Sequence, residues 1–239
     1  MADTAAASPH GFRVLYCQNC GNSVRVPIHC SSRSCVPCLF SRSLRVQSRI
    51  SWILSFNDII PGYSWKHLTL TVRNMRDLSK GIDLLISSFR RLRQHRWWKS
   101  RVLGGCYVLE VVRHENLWHP HLHIIVYSKY LPWESVLGHW NVASTTGRHI
   151  YIRRIWHGTG IAHYIAKYVA KPFMVSPEFQ SELDNATRHR RLFAAFGNLA
   201  AIIHSHRFPS HVVPCKRCGA LAWIPDVLIE IYHRRARAP

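Results

Sequence analysis

The sequence predicts a fold of the α+β class, with a metal-binding module near the N-terminus. Three observations support this prediction. Residues 65–72 (WKHLTLTV) alternate between apolar and polar side chains, as a half-buried strand does. Residues 77–99 carry apolar side chains at helical spacing, with arginines between them. Cysteine pairs of the form C-x2-C occur near both ends of the chain, and in a reducing compartment such pairs indicate metal ligands before disulfides.

The pattern divides the chain into four predicted segments. Residues 1–12 are small and polar, which predicts a disordered tail. Residues 13–40 carry five cysteines and little apolar periodicity, and they predict a zinc-binding module. Residues 41–210 form the main domain. Residues 211–239 hold the last C-x2-C and a basic end.

The elements of the main domain follow in order. Helices are predicted over 41–56 and 77–99, on either side of the strand 65–72. Two apolar strands, 105–113 and 118–127, flank the sequence HENL, which favours a hairpin. The remaining patterns predict a helix, a strand and two further helices, in this order: 133–143, 148–155, 159–171 and 178–203.

The charge of the chain indicates a polyanionic partner. Lysine and arginine number 32 against 12 acidic residues, which gives a net charge of +20. A fold does not need this surplus, and nucleic acid is the simplest partner that explains it. No stretch approaches 18 consecutive apolar residues, and the N-terminus does not resemble a signal peptide. We therefore expect a soluble intracellular protein that binds no membrane.

The stretch HPHLHIIV places a histidine at every second position, which on a strand puts all three on one face. His119 and His123 would lie about 13 Å apart at Cα, so we expect two of the three to bind one ion. If residues 114–117 form the turn, Glu110 lies directly across the hairpin from His121. Glu110, His121 and His123 therefore predict a catalytic metal site with open positions, and His119 is its neighbour. The alternative is a set of hydrogen-bonded structural histidines.

The stretch YIAKYVAK holds two tyrosines and two lysines at helical spacing. These four residues share one helix face: Tyr164, Lys167, Tyr168 and Lys171. A tyrosine oxygen can attack phosphorus when a neighbouring cation, or a metal that polarises the phosphate, assists it. The face therefore indicates chemistry on a phosphodiester. The alternative is an amphipathic helix with solvated lysines.

Taken together, these stretches resemble motifs of the HUH endonucleases, specifically the rolling-circle replication initiator (Rep) proteins of small plasmids and single-stranded DNA phages. Three motifs occur in the family's order: HLTLTV (67–72), WHPHLHIIV (118–126) and YIAKYVAK (164–171). The resemblance extends over about residues 15–200. It implies a central antiparallel sheet with flanking helices, ferredoxin-like or RRM-like, and makes 41–210 the nuclease domain.

The resemblance also implies an activity. Rep proteins nick single-stranded origin DNA and later rejoin the strands. Tyr168 matches the nucleophile, which forms a 5′-phosphotyrosine link and leaves a free 3′-OH. Tyr164 matches the second catalytic position and implies a two-tyrosine mechanism. Lys167 and Lys171 would contact the phosphate or the phenolate.

Cofactor and partners follow from the same resemblance. His121 and His123 match the His-hydrophobe-His ligands, and Glu110 matches an acidic third ligand, for Mg²⁺ or Mn²⁺. The DNA partner would be an origin single strand, at a hairpin or an AT-rich site. The sequence has no G-x-x-x-x-G-K-[ST] loop, so we expect a host helicase and polymerase to act with it. The expected location is the cytoplasm of a prokaryotic host.

The cysteines predict structural zinc. The first predicted site has a spacing close to that of four-cysteine zinc modules and consists of Cys17, Cys20, Cys35 and Cys38. Cys215 and Cys218 form a half-site. Its partner stays open among four residues: Cys30, His204, His206 and His211.

A basic segment within the predicted helix 77–99 is a candidate DNA contact, because tryptophans beside arginines can stack on unpaired bases. Its residues are Arg90, Arg91, Arg93, Arg96, Trp97 and Trp98. The alternative is an ordinary solvated helix face.

Two other functions are compatible with parts of this pattern. An HUH transposase or relaxase would use the same chemistry on a different DNA substrate. A zinc-ribbon DNA-binding regulator without catalysis would explain the cysteines and the charge. It would not explain why Glu110, His121, His123 and the tyrosine face occur together.

Overall fold

A computed structural model of the chain describes residues 10–30, 35–55, 60–147, 149–156, 161, 164–165, 177–205, 215–218 and 223–225. The chain divides into two compact units. One spans Met1–Ser31 and Arg207–Pro239, and the other spans Ser32–His206. The N-terminal part of the first unit thus ends at Ser31, nine residues before the predicted end of the module at 40, and the C-terminal segment belongs to the same unit.

The strands are β1 (Phe12–Cys17), β2 (Ser23–Pro27), β3 (Ser64–Thr71), β4 (Val102–His114), β5 (Leu117–Ser128), β6 (Ile150–Arg154), β7 (Phe193–Gly197) and β8 (Trp223–Pro225). The helices are α1 (Val36–Leu54), α2 (Leu78–Gln94), α3 (Arg96–Lys99), α4 (Trp133–Ser144), α5 (Pro177–Thr187) and α6 (Asn198–Ser205). Residues 161, 164 and 165 are also helical. Among the described residues, no helix is long and apolar enough to cross a membrane.

The smaller unit contains a three-stranded antiparallel sheet in the order β2-β1-β8. Its first strand begins at Phe12, and the Ile28 N–H donates to the Gly11 carbonyl at 3.1 Å. The predicted disordered tail 1–12 therefore extends too far at its C-terminal end. Residues 1–9 lie outside the described residues.

The larger unit is built on a five-stranded sheet in the order β6-β3-β5-β4-β7, in which every neighbouring pair is antiparallel. The predicted fold class, an α+β fold with a central antiparallel sheet and flanking helices, is confirmed. Leu68 and Leu70 of β3 point to the face that packs against α2, in one core with Leu122 and Ile124 of β5. Because side chains alternate along a strand, His67 and Thr69 point to the opposite face. The candidate site lies on that opposite face.

Helix α2 is positioned by an N-cap and an apolar stripe. The Asp77 carboxylate accepts a hydrogen bond from the Lys80 backbone N–H at 2.9 Å, which satisfies a donor of the first turn. Its buried apolar residues are Leu78, Ile82, Leu85, Phe89 and Leu92. The helix ends at Gln94, and the predicted helix 77–99 is interrupted at His95, which is extended (ψ 136°). The His95 ring then accepts from Trp97 N–H at 3.3 Å and caps α3.

Two further boundaries differ from the sequence prediction. Helix α1 begins five residues before 41, because Pro37 is compatible with the first helical turn. The predicted helix 178–203 is wrong, since strand β7 separates α5 from α6. β7 pairs with β4, where Gly105 lies opposite Phe196. On its other side, β4 lies close to β5. A Cβ on Gly105 would lie 2.1 Å from the carbonyl oxygen of Ile125 on β5, so this position requires glycine.

Candidate active site

The β4–β5 hairpin has the register that the sequence predicts. His114 pairs with Leu117 and Arg113 pairs with Trp118, around a turn in which Glu115 has φ of +52°. Glu110 is therefore directly opposite His121. A slip of one residue would have turned Glu110 to the other face.

Three predicted ligands converge on this face. The Glu110 Oε2 atom lies 2.9 Å from His123 Nε2 and 3.9 Å from His121 Nδ1. Glu110 is 6% exposed and His123 is 5% exposed. A buried carboxylate is costly without a proton or a cation beside it, so this arrangement favours a positive charge at its centre.

The contact between Glu110 and His123 fits a shared ion. Two lone pairs 2.9 Å apart repel, so a proton or a metal must lie between Oε2 and Nε2. The other ring nitrogen, His123 Nδ1, lies 3.3 Å from Thr69 Oγ1. If Nδ1 carries the proton, Nε2 is free to bind a metal. Donors bound at about 2.1 Å and at right angles lie about 3 Å apart, which matches this separation for Mg²⁺ or Mn²⁺.

His67 is a member of this site to which the sequence assigns no role. Its ring stacks on that of His123, with centroids 5.7 Å apart and planes 23° apart. Burial, and then the neighbouring His123, lower the pKa of His67 to about 4, so the ring is neutral at physiological pH. Within the described part of the chain, His67 Nε2 has no hydrogen-bond partner. The alternation of HLTLTV puts His67 on the same face as Thr69, and the structure pairs Thr69 with His123.

His119 lies beside the predicted ligands. Its ring stacks on that of His121, with centroids 4.2 Å apart and planes 10° apart. Burial first, and then His114, lower the pKa of His119. A neutral ring in this place can support the orientation of His121.

One of the two predicted tyrosines is described, and it lies at this face. The Tyr164 ring meets the His67 ring edge-on, with centroids 5.9 Å apart, and Tyr164 is 39% exposed. An exposed phenol beside the histidine cluster is accessible to a substrate. Three predicted residues lie outside the described residues: Lys167, Tyr168 and Lys171.

A cleft of about 600 Å³ adjoins His67. Its wall contains exposed aromatic rings and two arginines from β6 and the residues after it, and none of these belongs to the predicted DNA-binding set. They are Tyr151, Arg153, Arg154 and Trp156. The Arg154 guanidinium lies 4.0 Å from the centroid of the Trp156 ring. Aromatic faces next to arginines suit unpaired bases and their phosphates.

Residues 22–132 match the replication protein family. Two curated relatives named Protein rep, from Bacillus sp. and Bacillus amyloliquefaciens, are each 34% identical over 101 residues, or 41% of this chain. The aligned part is 33% and 30% of those relatives, so the chain spans about a third of the length of the curated relatives it matches. No solved structure matches the chain.

These matches confirm the resemblance to plasmid Rep proteins that the motifs indicate. The segment that matches replication proteins includes Glu110, His121 and His123. Tyr164 and Tyr168 lie beyond it.

The same segment contains the whole predicted DNA-binding set, and the structure corrects one member. Trp98 is 2% exposed and packs edge-on against Phe89, with centroids 6.1 Å apart. A buried indole cannot stack on bases, so that prediction is wrong for Trp98. Trp97 is half-buried and lies against His139, with centroids 4.5 Å apart.

The arginines of this set have different environments. Arg91 Nε donates to the Ala143 carbonyl at 2.7 Å, which ties α2 to α4. The Arg93 guanidinium lies 5.0 Å from the centroids of both Phe89 and Phe196, and burial lowers its pKa. Arg90 and Arg96 are exposed and stay predicted DNA contacts.

Four cysteine sulfurs in the smaller unit lie close together. Cys17 Sγ is 3.5 Å from Cys218 Sγ, and Cys20 Sγ is 3.6 Å from Cys215 Sγ. All four sulfurs are within 4.8 Å of one another. This cluster could hold a metal ion.

The structure corrects the predicted grouping of the cysteines. The first pair was expected with Cys35 and Cys38, but Cys215 and Cys218 lie beside it. A four-coordinate site that these two pairs fill has no place for a further cysteine, Cys30 included. Cys35 instead precedes α1 and Cys38 lies in its first turn. The other predicted partners of the second pair are three histidines. His206 and His211 lie outside the described residues, and so does the side chain of His204.

The hydrogen bonds around Cys215 favour its thiolate. Burial alone would raise the pKa of this thiol, but the backbone N–H groups of Arg217 and Cys218 donate to the sulfur and lower it. With the contacts from Cys20 and the Asn22 amide, the pKa falls to about 6. A thiolate at neutral pH is the form that binds a metal.

Proposed function

We propose that the protein is a rolling-circle replication initiator that cuts single-stranded origin DNA by tyrosine attack. One observation carries the proposal. Glu110, His121 and His123 converge on one sheet face, with Tyr164 at the same face. The match of residues 22–132 to replication proteins, and the name Protein rep of two relatives, support it.

The chain's residues divide the work at the metal site. Glu110, His121 and His123 would hold Mg²⁺ or Mn²⁺, which would polarise the scissile phosphate. Thr69 fixes the ring of His123 through Nδ1. The neutral ring of His67 covers His123 without adding a positive charge.

The tyrosines perform the covalent step. The Tyr168 oxygen forms a bond to phosphorus while the bond from phosphorus to the 3′ oxygen breaks, and the 3′ oxygen takes up a proton. Lys167 and Lys171 would stabilise the negative charge on the phenolate and phosphate. After a round of synthesis, Tyr164 cuts the regenerated site, and the freed 3′-OH attacks the first phosphotyrosine to close the circle.

The proposal includes a path for the strand and a cellular setting. The cleft next to His67 would bind unpaired bases through Tyr151 and Trp156 and phosphates through Arg153 and Arg154. Structural Zn²⁺ would be bound by cysteines. A host helicase and polymerase would act with the protein in the cytoplasm of a prokaryotic host.

A covalent-adduct assay tests the proposal. Labelled single strands that tile the replicon encoding the protein are incubated with it and Mn²⁺, and the products are separated on a denaturing gel. We expect an adduct with the wild type and with Tyr130→Phe, a control at an exposed position (76%). Tyr168→Phe should form none, and Tyr164→Phe should cut once without releasing circles.

Each alternative has its own outcome in this assay. Binding of a strand without an adduct would contradict an enzyme and support a zinc-ribbon regulator. Cutting at transposon ends or at a transfer origin, and not at a replication origin, would support a transposase or relaxase. Unimpaired circle release by Tyr164→Phe would contradict the two-tyrosine scheme.

A further inference from the structure

The two ends of the chain contain the same short pattern. CQNCGNSVRVP, residues 17–27, and CKRCGALAWIP, residues 215–225, both read Cys-x2-Cys-Gly-x5-Pro. Two aliphatic residues and one further residue stand directly before each pattern: VLY before Cys17 and VVP before Cys215. Two copies of one half-site are a way to build a single four-ligand site.

Tight turns and a strand pairing bring the copies together. In the first copy, the Cys17 N–H donates to the Asn22 carbonyl at 2.8 Å, and the Gly21 N–H donates to the Cys17 carbonyl at 2.9 Å. Gly21 has φ of +70°, which favours glycine. In the second copy, residues 216–218 form a turn. β8 then pairs with β1, so that Cys17 lies opposite Trp223.

The distances between the sulfurs fit a metal site better than disulfides. The two short separations, 3.5 and 3.6 Å, are far longer than a disulfide bond of about 2.05 Å. In a tetrahedral site with Zn–S bonds of about 2.3 Å, neighbouring sulfurs lie about 3.8 Å apart. The four thiols are thus arranged nearly as such a site requires.

We propose that Cys17, Cys20, Cys215 and Cys218 together hold one Zn²⁺ ion, which joins the two ends of the chain. The ligands are separated by 195 and 201 residues. The Asn22 side-chain amide lies 3.7 Å from Cys215 Sγ, where it donates to a ligand sulfur. Four sulfurs leave no open position, so this ion has a structural role and takes no part in the nicking reaction.

The ion stabilises a sheet that is too small to form without it. Within the described residues, β8 contributes three residue pairs to its ladder with β1. So short a ladder is not stable by itself in water. Removal of the ion should therefore release β8 from β1.

Counting metal ions on the intact chain tests the grouping. Native mass spectrometry gives the number of zinc ions bound by the wild type and by the double variants Cys17→Ser/Cys20→Ser and Cys215→Ser/Cys218→Ser. We expect each double variant to lose one ion. The quadruple variant should also lose one and not two, because both pairs bind the same ion. Cys106→Ala, at a cysteine buried in β4, is the control and should lose none.

Three outcomes would overturn the proposal. Losses that add to two ions in the quadruple variant would mean two separate sites. If the protein keeps the ion when either cysteine pair is replaced, that pair does not supply ligands to it. Alkylation of the native wild type that finds the four cysteines paired as disulfides would exclude a thiolate site.

A second measurement avoids variants that fail to fold. The wild type is labelled with a maleimide before and after zinc chelation, and the labelled cysteines are mapped. All four cysteines should become reactive together, and hydrogen exchange of β1 and β8 should rise at the same time. If they become reactive in separate steps, the proposal fails. Metal analysis that finds iron, which also binds four thiolates, would overturn the assignment to Zn²⁺.

Discussion

Two groups of candidate metal ligands in this chain are built in opposite ways. Glu110 and His123 lie on β4 and β5, strands of 13 and 12 residues in the middle of a five-stranded sheet. The four cysteines lie at the end of the six-residue strand β1 and on the turn that follows it, and in and next to a turn before β8, of which three residues are described. The first group has nitrogen and oxygen donors, and the second has sulfur donors.

The difference indicates what each metal would do. Strand pairing and a packed core fix the histidine site, so it should form without an ion and use one for chemistry. The cysteine site depends on a three-pair ladder, so an ion there would be needed for the fold. Open positions suit catalysis and closed coordination suits structure, so under the proposals above the first group would serve the reaction and the second the fold.

The largest loss of cleavage activity should come from a substitution of Glu110 that leaves the fold intact. Glu110→Gln removes the charge that would hold the catalytic metal, and we expect a loss of at least about 1000-fold in adduct formation, since a bound metal contributes several kcal/mol to the reaction. The variant should unfold at the same temperature as the wild type, because no buried charge is left unpaired. A gel assay and circular dichroism measure the two quantities.

The same hairpin provides the control for this variant. Glu115→Gln changes an exposed carboxylate in the turn, and it should leave both cleavage and stability unchanged. If Glu110→Gln lost activity only because it unfolded, the histidine site would not be stable without its metal. The contrast with the cysteine cluster would then be contradicted.

Local pattern was sufficient to predict which residues meet across the β4–β5 hairpin. The sequence HENL limits where the chain can turn, and the period of two then decides which face each residue takes. The sequence alone therefore pairs Glu110 with His121. His67 lies on β3, which is not part of the hairpin, so its position depends on a strand order that the local sequence does not specify.

Other features depend on long-range pairing that the local pattern does not reveal. FAAFG, residues 193–197, has no alternation, and it becomes a strand because Gly104 and Gly105 let it approach the edge of β4. The two C-x2-C pairs nearest to each other in sequence suggested one site. The shared Cys-x2-Cys-Gly-x5-Pro pattern, however, is a signal that could have indicated the observed grouping.

A buried lysine tests whether the sheet is stable without metal. Burial first, and then Arg154, lower the pKa of Lys66 from 10.5 to about 8. Between these pH values the unfolded chain holds a proton that the folded chain has lost, so the unfolding free energy rises with pH. Relative to Lys66→Met, the wild type should gain up to about 3 kcal/mol from pH 8 to 10.5.

Urea unfolding in EDTA and a reducing agent measures this difference. Lys99→Met, at an exposed position, should show no such trend. If the unfolding free energies of the wild type and Lys66→Met changed in parallel with pH, the lowered pKa of Lys66 would not be the cause of the rise. A sheet that unfolds as soon as EDTA is added would contradict the claim that it is preformed.

Hydrogen bonds that neighbouring side chains make to the ligands allow the metal affinities of the two sites to be compared. Thr69→Val removes the hydroxyl beside His123 Nδ1 while keeping the shape of the side chain. We expect Mn²⁺ to bind about 10- to 100-fold more weakly, because loss of such a partner frees the ligand ring. Thr71→Val is the matched control, since the Thr71 hydroxyl donates to the His149 carbonyl. Calorimetric titration with Mn²⁺ should separate the two variants, and equal affinities would exclude a positioning role for Thr69.

The smallest effect should come from the corresponding contact in the cysteine cluster. Asn22→Ala removes the amide that lies 3.7 Å from Cys215 Sγ, a long N–H···S contact. Because the four sulfurs would supply nearly all of the binding free energy, we expect zinc affinity to fall less than about 10-fold. Asn19→Ala, at an exposed turn position, should have no effect in the same competition with a chelator. A larger loss for Asn22→Ala than for Thr69→Val would reverse the comparison. It would mean that the cysteine site, and not the histidine site, depends on protein contacts beyond its ligands.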